Sequence, residues 1–418
     1  MSERVIPETV GLSGERLARI RRWMRGHVEA RRLPGASVLV ARRGGIAFFE
    51  CEGYRDVEAG APVTTHTIFR IFSMTKPLTS VAVLMLYERG ALQLDDPVAR
   101  YLPEFAAPQV MVGGEPHAPR LEPADTPITV HHLLTHTAGL TYWFMEEHPV
   151  DALYREAGID FVRGTGSLAD MVGRVADMPL ICQPGARWNY SVATDVLGRL
   201  VEVVAGQPFA DFLRGEVLEP LGMVDTDFEV PDDKLDRFAA LYGPPGGVGM
   251  ATESPGPTPA GGLELLDAPT DSPYRTPVGL ASGGGGLVST ASDYLRFCRM
   301  MLNRGELDGV RLLGRKTVEY MTCNHLPGDL AAMGQARFAE TRYEGIGFGL
   351  GVSVTLDPVR ARVVGTPGEY AWGGAASTAF WIDPAEELIV IFLTQLLPSS
   401  TYALRPQLRV LTYQALID

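Results

Sequence analysis

The sequence predicts an α/β fold whose sheet is assembled from both ends of the chain, on three observations. Strand-like segments lie near each end, helical periodicity fills the middle, and Pro/Gly-rich turns punctuate the whole. Residues 1–78 and 290–418 are expected to form a discontinuous α/β domain, and residues 79–289 a mostly helical one. A cleft between two such units is a usual place for a pocket.

Residues 13–32 read as a helix, with Ser13 as its N-cap and an apolar stripe of Leu17, Ile20, Trp23, Met24 and Val28. Arg16, Arg19, Arg21, Arg22 and Arg25 fall between those positions, the pattern of a surface helix lying on a core. Pro34-Gly35 stops it. Residues 36–41 and 45–50 read as strands joined by a turn at Arg42-Arg43-Gly44. Pro77, followed by Val81, Val83, Leu84, Leu86 and Tyr87, marks a buried helix that begins close to Ser73 and ends at Gly90. Asp95-Asp96-Pro97 reads as the cap of a short segment at 98–102. Further helices are expected at 130–135, 167–176, 193–204 and 209–218. Residues 243–262 are rich in Gly and Pro without a lysine in P-loop spacing, which describes a surface loop. The run Ala281-Ser282-Gly283-Gly284-Gly285-Gly286-Leu287 is a second break. After it, Thr290 and Asp293 form a capping-box-like pair ahead of Tyr294, Leu295, Phe297, Met300 and Met301. Strands are expected at 348–355, 376–382 and 388–394, with a turn at Asp383-Pro384, and a closing helix at 401–416.

Composition narrows the partners. The chain has 418 residues, 46% hydrophobic and 21% charged, with a net charge of -13. That charge argues against nucleic acid. No segment is long and apolar enough to span a bilayer, and the first residues lack an apolar core of the secretory kind, so a cytoplasmic location is expected. Cys51, Cys182, Cys298 and Cys323 lack paired metal-ligand spacing and read as reduced thiols. His132 and His136 are four apart, but no H-E-x-x-H motif surrounds them, and no metal or cofactor is called for. The oligomeric state is not legible.

Ser73-Met74-Thr75-Lys76 carries the first chemical signal. A serine and a lysine three apart share one helical face. If Ser73 opens the helix, its Oγ meets unpaired N–H groups at the positive end of the dipole. A desolvated Lys76 beside it can take the serine proton. Alone, the spacing is a weak signal, since most such pairs are a cap and a solvated lysine. Tyr190 follows the turn Gln183-Pro184-Gly185 and precedes an amphipathic helix. A phenol beside a cationic lysine can share protons with both groups. Tyr370-Ala371-Trp372-Gly373-Gly374-Ala375 precedes an expected strand. Its glycines allow a ligand close to the backbone, and the N–H that follows can complete an oxyanion hole. No Gly-x-Ser-x-Gly elbow competes.

In this order, the three motifs resemble the serine β-lactamase-like superfamily: class C β-lactamases, DD-peptidases and, closest, family VIII carboxylesterases. Leu133-Leu134-Thr135-His136-Thr137-Ala138-Gly139-Leu140 and Phe380-Trp381-Ile382-Asp383-Pro384 add to the likeness, which spans residue 33 to the C-terminus. The resemblance implies an antiparallel sheet flanked by helices plus a mostly helical domain. It implies Ser73 as nucleophile, Lys76 as general base or proton-sharing partner, and Tyr190 as the catalytic tyrosine. Trp372, Gly373 and Gly374 stand in the place of the Lys-Thr-Gly signature, and Ala375 with Ser73 would supply the oxyanion hole.

Two departures direct the reading toward esters. Tyr190 is followed by Ser191-Val192 where class C enzymes carry x-Asn, and Trp372 stands where they carry lysine. The loss of that lysine removes one charge partner for an anionic substrate. The expected activity is a serine carboxylesterase cleaving small, short-chain acyl esters. Alternatives are an acyltransferase using the same residues, a β-lactamase or D-peptidase, and a non-catalytic scaffold. Tyr142, Trp143 and Phe144, aromatic and just beyond the His136 turn, are candidates for substrate contact.

Overall fold

The computed structural model of the protein describes residues 4–162, 164–247, 261–275, 279–334, 337–338 and 341–418. Of the loop expected at 243–262, residues 248–260 lie outside the described residues.

Helix α1 (Gly14–Glu29) starts where the sequence places it: the Ser13 side chain accepts from the Arg16 amide. Strands β1 (Gly35–Arg42) and β2 (Gly45–Asp56) form a hairpin whose tip, Arg43-Gly44, takes φ of 49° and 79°. Strand β3 (Ala61–Pro62) follows. Helix α2 (Lys76–Glu88) is buried along almost its whole length. Helices α3 (Val130–Leu134), α4 (Ala193–Ala205) and α5 (Ala291–Leu302) come next, then β4 (Ile346–Phe348), β5 (Ser353–Thr355), β6 (Tyr370–Gly373), β7 (Ala379–Asp383), β8 (Leu388–Thr394) and α6 (Leu404–Tyr413).

The strands make one eight-stranded sheet in the order β4-β5-β6-β7-β8-β1-β2-β3. The pairings are antiparallel, and the two ends of the chain meet where β1 pairs with β8, from Ala36 opposite Thr394 to Arg42 opposite Leu388. Side chains alternate across a strand. Val38, Val40, Val390 and Phe392 therefore face α1 and α6, where Leu17, Ile20, Met24, Leu404 and Leu408 pack. Leu39, Ala41, Ile389, Ile391 and Leu393 face the opposite way, into a core shared with Leu78, Val81, Leu295 and Phe297. The arginines of α1 stay outside, where Arg21 and Arg25 pair with Glu52 of β2.

Several local expectations are corrected. The strand expected at 348–355 is two short strands, because the backbone turns at residues 349–352; there Gly351 takes φ 92° and a Cβ on it would collide with the Ser80 hydroxyl. The strand expected at 376–382 begins at Ala379, since Ser377 adopts φ 66° in the turn before it. Trp372-Gly373 precedes β7 as expected, but it also ends a strand of its own, β6, which pairs with β7. The closing helix is shorter than 401–416, and the segment expected as one helix at 209–218 passes from α-helix (Phe209–Leu213) to π-helix (Arg214–Leu218). The region expected to be mostly helical also holds a hairpin, Gln109–Glu115 with Ala118–Pro123. Asp96 does not cap the turn at Val98–Arg100; its carboxylate accepts from the Gln93 amide and the Tyr101 hydroxyl. Thr290 caps α5 as expected, but Asp293 turns its carboxylate to Asp225 N and Thr226 Oγ1.

Candidate active site

The chain reaches Ser73 from the strand Phe69–Arg70, which pairs with Val288–Ser289. Gln395 grips that strand from both sides: its Oε1 accepts from Arg70 N, and its Nε2 donates to Arg70 O. Phe72 then takes φ 42°, a left-handed conformation rarely adopted by a bulky residue, and the backbone turns sharply into a 3-10 turn, Phe72–Thr75. Ser73 therefore does not open the α-helix; Lys76, its first residue, does, with its amide donating to Ser73 O.

The three side chains singled out by sequence converge. Lys76, 1% exposed, brings Nζ to 3.2 Å from Ser73 Oγ and 2.6 Å from the Gly284 carbonyl. Tyr190 Oη lies 2.6 Å from Ser73 Oγ. Lys76 Nζ faces the rings of Tyr190 at 4.6 Å and Tyr142 at 5.5 Å, so aromatic faces and a carbonyl take the place of water around it. The expectation that Lys76 and Tyr190 both reach Ser73 is met in geometry, across 117 residues of sequence in the case of Tyr190.

Two motif segments hold Tyr190. The turn after α3 and the Trp188-Asn189-Tyr190-Ser191 segment are laced together: Asn189 N donates to His136 O, Asn189 Nδ2 to Leu140 O, and Val192 N to Thr141 O. His136 sits beyond the end of α3 at φ 55° and its Nδ1 meets the Ser191 hydroxyl at 3.1 Å. Burial and the nearby Lys76 charge push this imidazole well below its usual range, so it is neutral at pH 7. His132 does not share its face; its Nδ1 accepts from the Thr129 amide and closes a capping box. Among the described residues no group of three His, Cys, Asp or Glu converges as metal ligands would.

The opposite wall is the end of β6. Gly374 N donates to Thr378 O, and a Cβ on Gly374 would collide with Ile71 O and Thr378 Oγ1. This close approach places the Gly374-Ala375 backbone against the turn that carries Ser73. Among the described residues, neither the Ser73 nor the Ala375 amide has an acceptor within the chain. Beyond them opens a cavity of about 330 Å³ lined by Ser73, Tyr190, Phe144, Trp372, Gly373, Gly374 and Ala375. Trp372 packs its ring on Tyr190 and Phe348, with centroids 5.6 and 5.3 Å apart.

Of the three aromatic candidates, only Phe144 lines this cavity. Tyr142 stacks on Phe144 and packs against Tyr190 one layer back, and Trp143 packs against the core. The sequence reading missed Arg342, Arg362, Arg405 and Arg409, which line the same cavity. Arg409 is paired with the buried Glu369, and Arg405 donates to Gly374 O and Thr378 O. The absence of a lysine at Trp372 thus does not leave the cleft without cations. Their positions come from remote segments, so no local motif announces them. The Gly284 carbonyl was also missed, since the glycine run reads only as a break.

Comparison with known proteins identifies the family and similar folds. The model of the family described as Beta-lactamase matches residues 20–414. Esterase EstB of Burkholderia gladioli is 38% identical over 370 residues, covering 87% of this chain and 86% of its own. The solved structure of EstCE1, described as a hydrolase with promiscuous acyltransferase activity, superimposes with a TM-score of 0.78 at 28% identity, covering 96% of this chain and 99% of that one. Unliganded simvastatin synthase (LovD) of Aspergillus terreus gives a TM-score of 0.75 at 26% identity, covering 96% and 98%. With its antiparallel sheet, the converged Ser73, Lys76 and Tyr190, and a family match over nearly its whole length, the chain belongs to the beta-lactamase family.

Proposed function

We propose that the protein is a serine carboxylesterase, of the family VIII kind, that cleaves small, short-chain acyl esters through an acyl-enzyme on Ser73. The observation that carries this reading is the contact of Ser73 Oγ with both Lys76 Nζ and Tyr190 Oη, at 3.2 and 2.6 Å.

Ser73 Oγ attacks the ester carbonyl while its proton passes into the Lys76–Tyr190 pair, which acts with one basic site free, the Lys76 amine or the Tyr190 phenolate. The new oxyanion is held by the amides of Ser73 and Ala375. Collapse of the tetrahedral species breaks the bond to the alkoxy oxygen, and Tyr190 returns the proton to that oxygen, so the alcohol leaves neutral. Water repeats the attack on the acyl-enzyme and gives its proton to the same pair; collapse breaks the bond to Ser73 Oγ, which takes that proton as the acid leaves. An acyl group small enough for a cavity of about 330 Å³ lies beside Phe144 and Trp372.

An acyltransferase needs the same residues and differs only in the second nucleophile. The likeness to EstCE1 and simvastatin synthase supports that second reading. β-Lactam hydrolysis is a side reaction at most, because Trp372 and Val192 replace the polar groups that recognise the amide. A screen of p-nitrophenyl esters of increasing acyl length, beside nitrocefin and with an added alcohol, tests all three. The expected result is fastest turnover of short acyl esters, lost in Ser73→Ala. Nitrocefin turnover above that of every ester would overturn the reading, and transfer to the alcohol exceeding hydrolysis would favour the acyltransferase.

A further inference from the structure

The run Ser282-Gly283-Gly284-Gly285-Gly286 has no part in the mechanism so far, yet it delivers the carbonyl closest to Lys76 Nζ. It lies against the first turn of α4. A Cβ on Gly283 would come within 2.6 Å of Thr194 O, and one on Gly284 would collide with Asp195 Oδ2, so only glycine allows this approach. Asp195 is 1% exposed, and its Oδ1 accepts from Ser282 Oγ at 2.6 Å and from Gly284 N at 2.9 Å. Gly284 O in turn accepts from Lys76 Nζ at 2.6 Å. A buried carboxylate costs several kcal/mol unless it is paired, and here the nearby cation is Lys76, reached through one glycine residue.

We propose that Asp195 is a positioning residue that acts on the proton transfer at Ser73 through Gly284. Its carboxylate fixes the loop so that the Gly284 carbonyl holds Lys76 Nζ on Ser73 Oγ, and its charge favours the ammonium that Lys76 becomes on taking the serine proton. The proposal rests on the reading of Ser73 as nucleophile. The groups facing Lys76 are Ser73, Tyr190 and Tyr142 from the cleft, His136 from the turn after α3, and Asp195 from α4. Burial raises the Asp195 carboxyl above its usual range while the Lys76 charge opposes that, and Asp160 is the further acid that acts on it. His136 is neutral and Tyr142 stays protonated through burial, so neither offsets a charge on Lys76.

The test compares wild type with Asp195→Asn and Asp195→Ala. It measures kcat and KM for one p-nitrophenyl ester across pH 5 to 10, and the rate at which a serine-directed phosphonate labels Ser73. Asn keeps an acceptor oxygen for Ser282 and Gly284 but removes the charge. The expected result is a loss in kcat of roughly 10²-fold for Ala, with a smaller loss for Asn and KM little changed. In Asn the limb of the pH–rate profile set by the Ser73 cluster moves to lower pH, because loss of an anion favours deprotonation of its neighbours. A merely structural role would leave that limb in place. Wild-type kcat and pH profile in Asn, with Ser73 still labelled, would overturn the role of the charge. Failure of wild type to label at Ser73 would instead overturn the underlying assignment.

Discussion

On the α2 side of Ser73 the polar groups are buried and bonded to one another: Lys76 to Gly284, Gly284 to Asp195, His136 to Ser191. On the β6 side, the strand end opens into a cavity with an aromatic wall and four arginines, one of which, Arg362, is exposed. The closed side excludes water, where hydrogen bonds between buried groups are stronger than in solvent. The open side presents surface that differs in size and charge. Proton transfer and substrate choice are thus built on different elements, and substitutions on the two sides should separate kcat from KM.

The largest effect is expected on the closed side. Lys76→Ala and Tyr190→Phe should each lower kcat by roughly 10²-fold or more with KM little changed, measured by steady-state ester hydrolysis. A fall confined to KM would break the division. Gly374→Ala tests the seam between the sides, because its methyl would push the strand end away from Ile71 and Thr378. About a tenfold loss of kcat, with stability reduced by about 1–3 kcal/mol in urea unfolding, is expected from such overpacking. Phe144→Ala belongs to the open side and should weaken kcat/KM for the preferred acyl length by about tenfold, through KM, with the Ser73 labelling rate unchanged. The smallest effect is expected for Arg362→Ala: a roughly two- to fivefold rise in KM for esters that carry a carboxylate, fading with added salt, and none for neutral esters.

The same division explains what could be read from sequence. β8 is legible to the residue because helices cover both faces of the sheet there, so Leu388–Leu393 is an unbroken apolar run, closed by Thr394. Ser73 and Lys76 are legible because one helical turn separates them. Tyr190 is legible only through its motif and the order of the three motifs, since its distance to Ser73 is a property of the fold. The split of 348–355 was not legible, because Gly349 and Gly351 are required by approach to Met321 O and Ser80 Oγ, contacts made by distant segments. The hairpin Gln109–Glu115 with Ala118–Pro123 has too few buried apolar positions to show a strand period. The Gly284 contact is made by a backbone oxygen, which every residue carries, and Asp195 looks from sequence like any acid in the first turn of a helix. Ala375 is known only as the residue after two glycines, and its amide gains meaning from the Ser73 amide beside the same cavity.

The central claim is that Ser73 forms the covalent intermediate. Intact-protein mass spectrometry after reaction with a serine-directed phosphonate, followed by peptide mapping, tests it most directly. One phosphonyl group on Ser73, absent in Ser73→Ala and formed much more slowly in Tyr190→Phe, is the predicted result. A stable adduct on any other residue, or full ester turnover by Ser73→Ala, would contradict it.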